Sequence, residues 1–149
     1  MKKTFSILSI IILLIFNTLI INSCGNRNDT VSCFPSNPIN VTLNLNLPAY
    51  YDLTYSGGWK YINEQQSGSR GLIVVRSGND FKIYDRNAPH ICPDSNTTLE
   101  VKNGNSIICP KDNAQWILLT GQPTAVANVP PKTYLYTYNP ATNNLNIYF

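Results

Sequence analysis

Gly71-Leu72-Ile73-Val74-Val75-Arg76 runs through Ser77-Gly78-Asn79-Asp80 into Phe81-Lys82-Ile83-Tyr84. Four consecutive apolar residues, three of them β-branched, make a run too short for a helix and read as a central strand. The Gly-Asn tetrapeptide has hairpin-turn composition, and the second strand returns beside the first. Working outward, the same pattern repeats. Val41, Leu43, Leu45 and Leu47 alternate with Thr42, Asn44 and Asn46, which predicts a half-buried strand ended by Pro48. Gly57-Gly58 leads into a strand over 59–63. A polar loop over 85–98 holds His90 and Cys92. Strands at 99–101 and 106–108 flank Asn103-Gly104, a strong hairpin signal. A second loop, 109–114, precedes a strand at 115–119. Residues 123–131 wander over the surface, and 134–138 with 145–149 form a terminal hairpin around Asn139-Pro140. No segment past Cys24 sustains a 3.6-residue apolar period, so the predicted class is all-β, an antiparallel sandwich or barrel.

The N-terminal stretch differs in kind. Lys2 and Lys3 precede an apolar run from Phe5 to Ile21, and no further charge occurs until Arg27. This is the layout of a secretory signal. A membrane span needs about 20 apolar residues; this run is shorter and broken by Ser9, Asn17 and Thr18. Ile21-Asn22-Ser23-Cys24-Gly25 resembles the bacterial lipobox. That motif needs a thiol to carry diacylglycerol and a small residue before it to admit the peptidase. The expected organisation is a signal peptide at 1–23, a lipid-anchored tether at 24–38 beginning at Cys24, and a β domain at 39–149. Two or more acyl chains hold a protein at a bilayer, at about 0.8 kcal/mol per buried CH₂. The expected location is the envelope of a bacterium, at the outer membrane. The chain has 11 Lys and Arg against 8 Asp and Glu; without Lys2 and Lys3 the balance is about +1, with no basic patch for nucleic acid.

The order of features from Val41 onward resembles the Rieske 2Fe–2S domain, and is most similar to a lipoprotein branch of that family from Bacteroidetes-type bacteria. The hairpin at 71–86 resembles the two strands before the family's first cluster loop. Ala88-Pro89-His90 stands where the family has Cys-x-His. Cys109-Pro110-Lys111-Asp112, followed by Trp116, stands where it has Cys-x-x-His and a downstream aromatic. Thr120-Gly121-Gln122-Pro123 resembles the Thr-Gly-x-Pro turn, and 130–134 the approach to the final hairpin. The resemblance implies a Rieske-like β fold with a small two-loop subdomain.

It also implies a ligand set, and this chain departs from it. A Rieske centre uses two thiolates and two neutral imidazoles. His90 and Cys109 are retained, Ala88 replaces one thiolate, and Asp112 replaces one imidazole. The chain has a single His, so an ordinary cluster is not expected. Two alternatives stand for the loop tips. One is a disulfide between Cys92 and Cys109, which the exported compartment favours. The family's loops meet face to face, so such a bridge would close about 17 residues and contribute about 3 kcal/mol. The other is a metal site drawing on His90, Cys109, Cys92 and Asp112, for an atypical 2Fe–2S cluster or zinc. The disulfide is favoured, and Cys33 is left over. His90 otherwise reads as an exposed loop imidazole, and Asp85 and Asp94 as turn and loop residues. No catalytic constellation is visible. The expected function is that of a non-catalytic binding or structural module with an envelope protein partner, the alternative being electron transfer through an atypical centre.

Overall fold

Strand β3, Leu72–Ser77, has polar company on neither face: Leu72, Ile73, Val74 and Val75 are each 0% exposed. Side chains alternate across a strand, so this run must be sandwiched. Leu72 and Val74 enter one core with Val41, Leu43, Leu145 and Ile147. Ile73 and Val75 enter a second with Leu99, Ile107, Trp116 and Leu118. The computed structural model describes residues 30–149. The expected signal peptide at 1–23 and the expected lipidation residue Cys24 lie outside them.

Ten strands form three antiparallel sheets among the described residues. β2 (Trp59–Ile62), β3 and β4 (Asp80–Asp85) make the middle sheet. β1 (Asn40–Asn44) pairs with β10 (Asn144–Tyr148), which pairs with β9 (Leu135–Asn139). β5 (Glu100–Lys102), β6 (Ser106–Ile108), β7 (Gln115–Ile117) and β8 (Pro123–Ala125) make the third sheet. The antiparallel all-β layout expected from the sequence holds, with the third sheet and its two loops as the small subdomain.

The register follows burial. Val41 lies opposite Ile147 and Leu43 opposite Leu145, so both pairs face the first core. Asn103 and Gly104 take positive φ, 54° and 68°, in the three-residue β5–β6 loop, where the Asn105 N–H donates to the Lys102 carbonyl at 3.3 Å. One expected strand is shorter than its alternation suggests. β1 stops at Asn44, and Leu47 is 50% exposed. The Asn44 side chain accepts a hydrogen bond from the Asn46 N–H at 3.0 Å and turns the chain. Pro48 then opens a 3₁₀ helix, Pro48–Thr54, which tucks Leu53 into the first core.

If β3 is the shared wall of two cores, truncation on either face is costly. Leu72→Ala and Ile73→Ala should each lose about 2–5 kcal/mol of stability, read as shifts in urea midpoint. A loss below about 0.5 kcal/mol for either one would contradict the two-core packing.

Candidate functional site

The two loops of the subdomain spring from buried strands. The first follows β4, and its base is fixed by Asp85. This carboxylate is 3% exposed. It accepts hydrogen bonds from the Asn87 N–H at 2.6 Å, the Asn87 Nδ2 at 2.8 Å and the Tyr134 hydroxyl at 2.5 Å. Burial and the neighbouring Asp85 push the Tyr134 hydroxyl well above the usual tyrosine range, so it stays a donor. The sequence reading of Asp85 as a turn residue is thereby corrected: it is a buried anchor. Farther along, the Arg70 guanidinium donates to Thr97 Oγ1 at 3.1 Å, Thr98 Oγ1 at 2.6 Å and the Asp94 carbonyl at 2.5 Å. Asp94 also forms an ion pair with Lys111 on the second loop.

The second loop is a tight turn between β6 and β7. The Asn113 N–H donates to the Cys109 carbonyl at 2.9 Å, and the Ala114 N–H to Asp112 Oδ1 at 3.1 Å. Asn113 takes a left-handed φ of 62°, which Asn tolerates better than most residues. The turn drops Cys109 into the second core, 0% exposed beside Ala88, Ala114 and Trp116. It lifts Asp112 towards the first loop.

There the loops meet through His90. Its Nε2 lies 2.6 Å from Asp112 Oδ2, with 15% and 26% of the two side chains exposed. The expectation of an exposed imidazole fails, because this contact and the Trp116 ring, 5.6 Å between centroids, cover it. His90 Nδ1 is buried and has no hydrogen-bond partner. Donor atoms of His90, Cys109 and Asp112 all lie within 4.8 Å of one another.

Burial raises the pKa of the Cys109 thiol, and Asp112, its hydrogen-bond partner, adds to this; the Lys111 and Asp112 backbone N–H groups oppose it only in part. Burial also disfavours the charged Asp112. Hydrogen bonds from His90, the Ala114 N–H and Cys109 outweigh it, and the carboxyl titrates below its ordinary value. A protonated, inaccessible thiol bonded to a carboxylate is not an activated nucleophile, although thiol, imidazole and carboxylate are neighbours.

The expected Cys92–Cys109 disulfide is overturned. Cys92 is bonded to Cys33, with Cα atoms 5.6 Å apart, and Cys109 is a free buried thiol. The cause lies in the segment assigned to the tether. From Thr30 it runs beside the first loop: the Val31 N–H donates to the Pro89 carbonyl at 2.9 Å, and Phe34 turns back onto the Val31 carbonyl at 2.9 Å. The Lys132 ammonium sits over the Phe34 and Phe149 rings, 5.5 and 4.2 Å from their centroids. These contacts present Cys33 to Cys92. The unpaired Cys33 was the only trace of this in the sequence.

No family model and no curated protein matches the chain. Among solved structures, it aligns with a chain of the "Complex of reduced oxygenase and oxidized ferredoxin in carbazole 1,9a-dioxygenase" at 19% identity and a TM-score of 0.46, covering 74% of this chain and 93% of that one. It also aligns with a ferredoxin of carbazole 1,9a-dioxygenase from Nocardioides aromaticivorans IC177 at 17% identity and a TM-score of 0.43, covering 75% and 97%.

The thiols can be counted. In a Cys24→Ser chain, a thiol reagent should find no accessible group when native, one after unfolding, and three after unfolding and reduction. Cys33→Ser should lower stability by about 4 kcal/mol, since the bridge spans 59 residues. Peptide mapping that recovers a Cys92–Cys109 linkage would contradict the assignment.

Proposed function

We propose that the chain is an exported bacterial lipoprotein, held at the outer membrane through acylated Cys24, whose Rieske-like domain works without a 2Fe–2S cluster as a non-catalytic binding module for an envelope protein. The observation that carries this reading is the donor set at the loop tips. A Rieske centre needs two thiolates and two imidazoles. The position resembling the first thiolate is Ala88, a buried methyl in the second core. Cys92, the one nearby thiol able to stand in, is committed to Cys33. A single thiol and a single imidazole remain, with Asp112 as the third donor. These residues do not fit the cluster.

The contacts between the loops supply another part of the case. A cluster would cross-link their tips; here the His90–Asp112 and Asp94–Lys111 pairs do so, with the disulfide binding the first loop to the N-terminal segment. A rigid, presented pair of loops suits recognition, since a preorganised surface loses less entropy on binding. The lipid anchor would place that surface a short distance from the bilayer.

The chain isolated from the membranes of an exporting bacterial host should be colourless and free of iron and acid-labile sulfide. Palmitate labelling should be present in the parent and absent in Cys24→Ser. A brown preparation with about two irons per chain would replace this reading with electron transfer.

A further inference from the structure

The geometry points to a mononuclear zinc-type site made by Cys109 Sγ, a ring nitrogen of His90 and a carboxylate oxygen of Asp112, with a fourth position open towards solvent. This deepens the function proposed above and rests on its premise that no cluster occupies these loops.

Three observations converge. The first is proximity: the donor atoms lie within 4.8 Å of one another. Zinc bonds of about 2.0–2.3 Å in a tetrahedron require donors roughly 3.3–3.8 Å apart, so the trio needs a contraction of about an ångström. The second is a contact that a cation can enter. His90 Nε2 lies 2.6 Å from Asp112 Oδ2 and makes no other polar contact, so an ion bound to both atoms takes the place of the proton between them, while the ring's hydrogen sits on Nδ1, which has no other partner. The third is charge. One thiolate, one carboxylate and one neutral imidazole carry two negative charges, which a divalent ion cancels. A neutral complex suits a floor made of Ala88, Ala114 and Trp116.

The donor types narrow the ion. Thiolate and imidazole favour zinc over magnesium or calcium, which take oxygen. Three protein ligands with an open fourth position are the arrangement in which zinc keeps a water or accepts an outside donor. Cys109 lies at the floor, and His90 and Asp112 at the partly exposed rim, so the open position faces outwards. There a side chain of a partner, or a small anion, could complete the tetrahedron. Binding releases the Cys109 proton to solvent and moves no electrons.

The test uses the full chain in detergent, stripped with chelator and titrated with Co²⁺ and then Zn²⁺. One Co²⁺ per chain should bind, with a thiolate-to-cobalt charge-transfer band, and one equivalent of Zn²⁺ should abolish the band. Cys109→Ala should remove the band. Asp112→Asn and His90→Gln should each weaken Co²⁺ binding by at least about ten-fold while circular dichroism stays that of the parent. Should Cys109→Ala not fold, the other two variants carry the test. No uptake, or uptake indifferent to Asp112→Asn and His90→Gln, overturns the site. A colourless, iron-free chain that binds neither ion overturns the site alone. Iron and sulfide in the isolated chain overturn the cluster-free reading and the site together.

Discussion

The structure depends on β3 being buried from both sides. A strand with Leu72, Ile73, Val74 and Val75 all withdrawn from water cannot lie at a surface. It requires one layer over each face; the chain supplies one from the two ends of the domain and the other from its middle. The β1–β10–β9 sheet joins the start of the domain to its end, and β5 to β8 form the other cover. The two layers have different tasks. The first core is closed by long, regular pairing of β1 with β10. The second is closed by strands of three residues each, held together by the loops between them.

That difference places the candidate site. Cys109, Ala88 and Ala114 are core residues of the second layer as well as the floor of the loop tips. Packing and site chemistry therefore share atoms. A small side chain at Ala88 lets the first loop lie close over Trp116, whose indole N–H is tied to the Val129 carbonyl at 2.8 Å. The loops are then fixed from beneath by Asp85 and Tyr134, from the side by Arg70, and across the gap by His90 with Asp112. Each is a charged or buried hydrogen bond, the kind that contributes most where water is excluded.

The fold was largely legible in the sequence because period-two alternation and turn chemistry are local. The 71–85 hairpin, Asn103-Gly104 and the terminal hairpin are each decided by residues within one or two turns of one another. β1 was overestimated because Leu47 continues the alternation while the Asn44 side chain, which ends the strand, leaves no mark in a hydrophobic pattern. The site was legible in part. His90, Cys109 and Asp112 were identified together through the family resemblance, and the structure brings their donor atoms into one cluster. Their surroundings were not. Asp85 as a buried anchor and Cys33 as the partner of Cys92 depend on contacts between residues 49 and 59 positions apart, which no local pattern encodes.

The disulfide and the donor cluster constrain each other. Bonded to Cys33, Cys92 is withdrawn from any metal at the loop tips, so oxidation of that pair leaves Cys109 as the only free thiol among the described residues. The same bond holds the N-terminal segment against the first loop, where Val31 meets Pro89, one residue before His90. The covalent link thus limits the motion of the residue that bridges the two loops. That stiffness adds to the His90–Asp112 and Asp94–Lys111 pairs, which hold the loop carrying His90 to the loop carrying Cys109 and Asp112. In this domain the oxidised cysteine pair holds the first loop from outside, and the His90–Asp112 and Asp94–Lys111 pairs hold it to the second, so the three donors are kept together by contacts on both sides of the loop that carries His90.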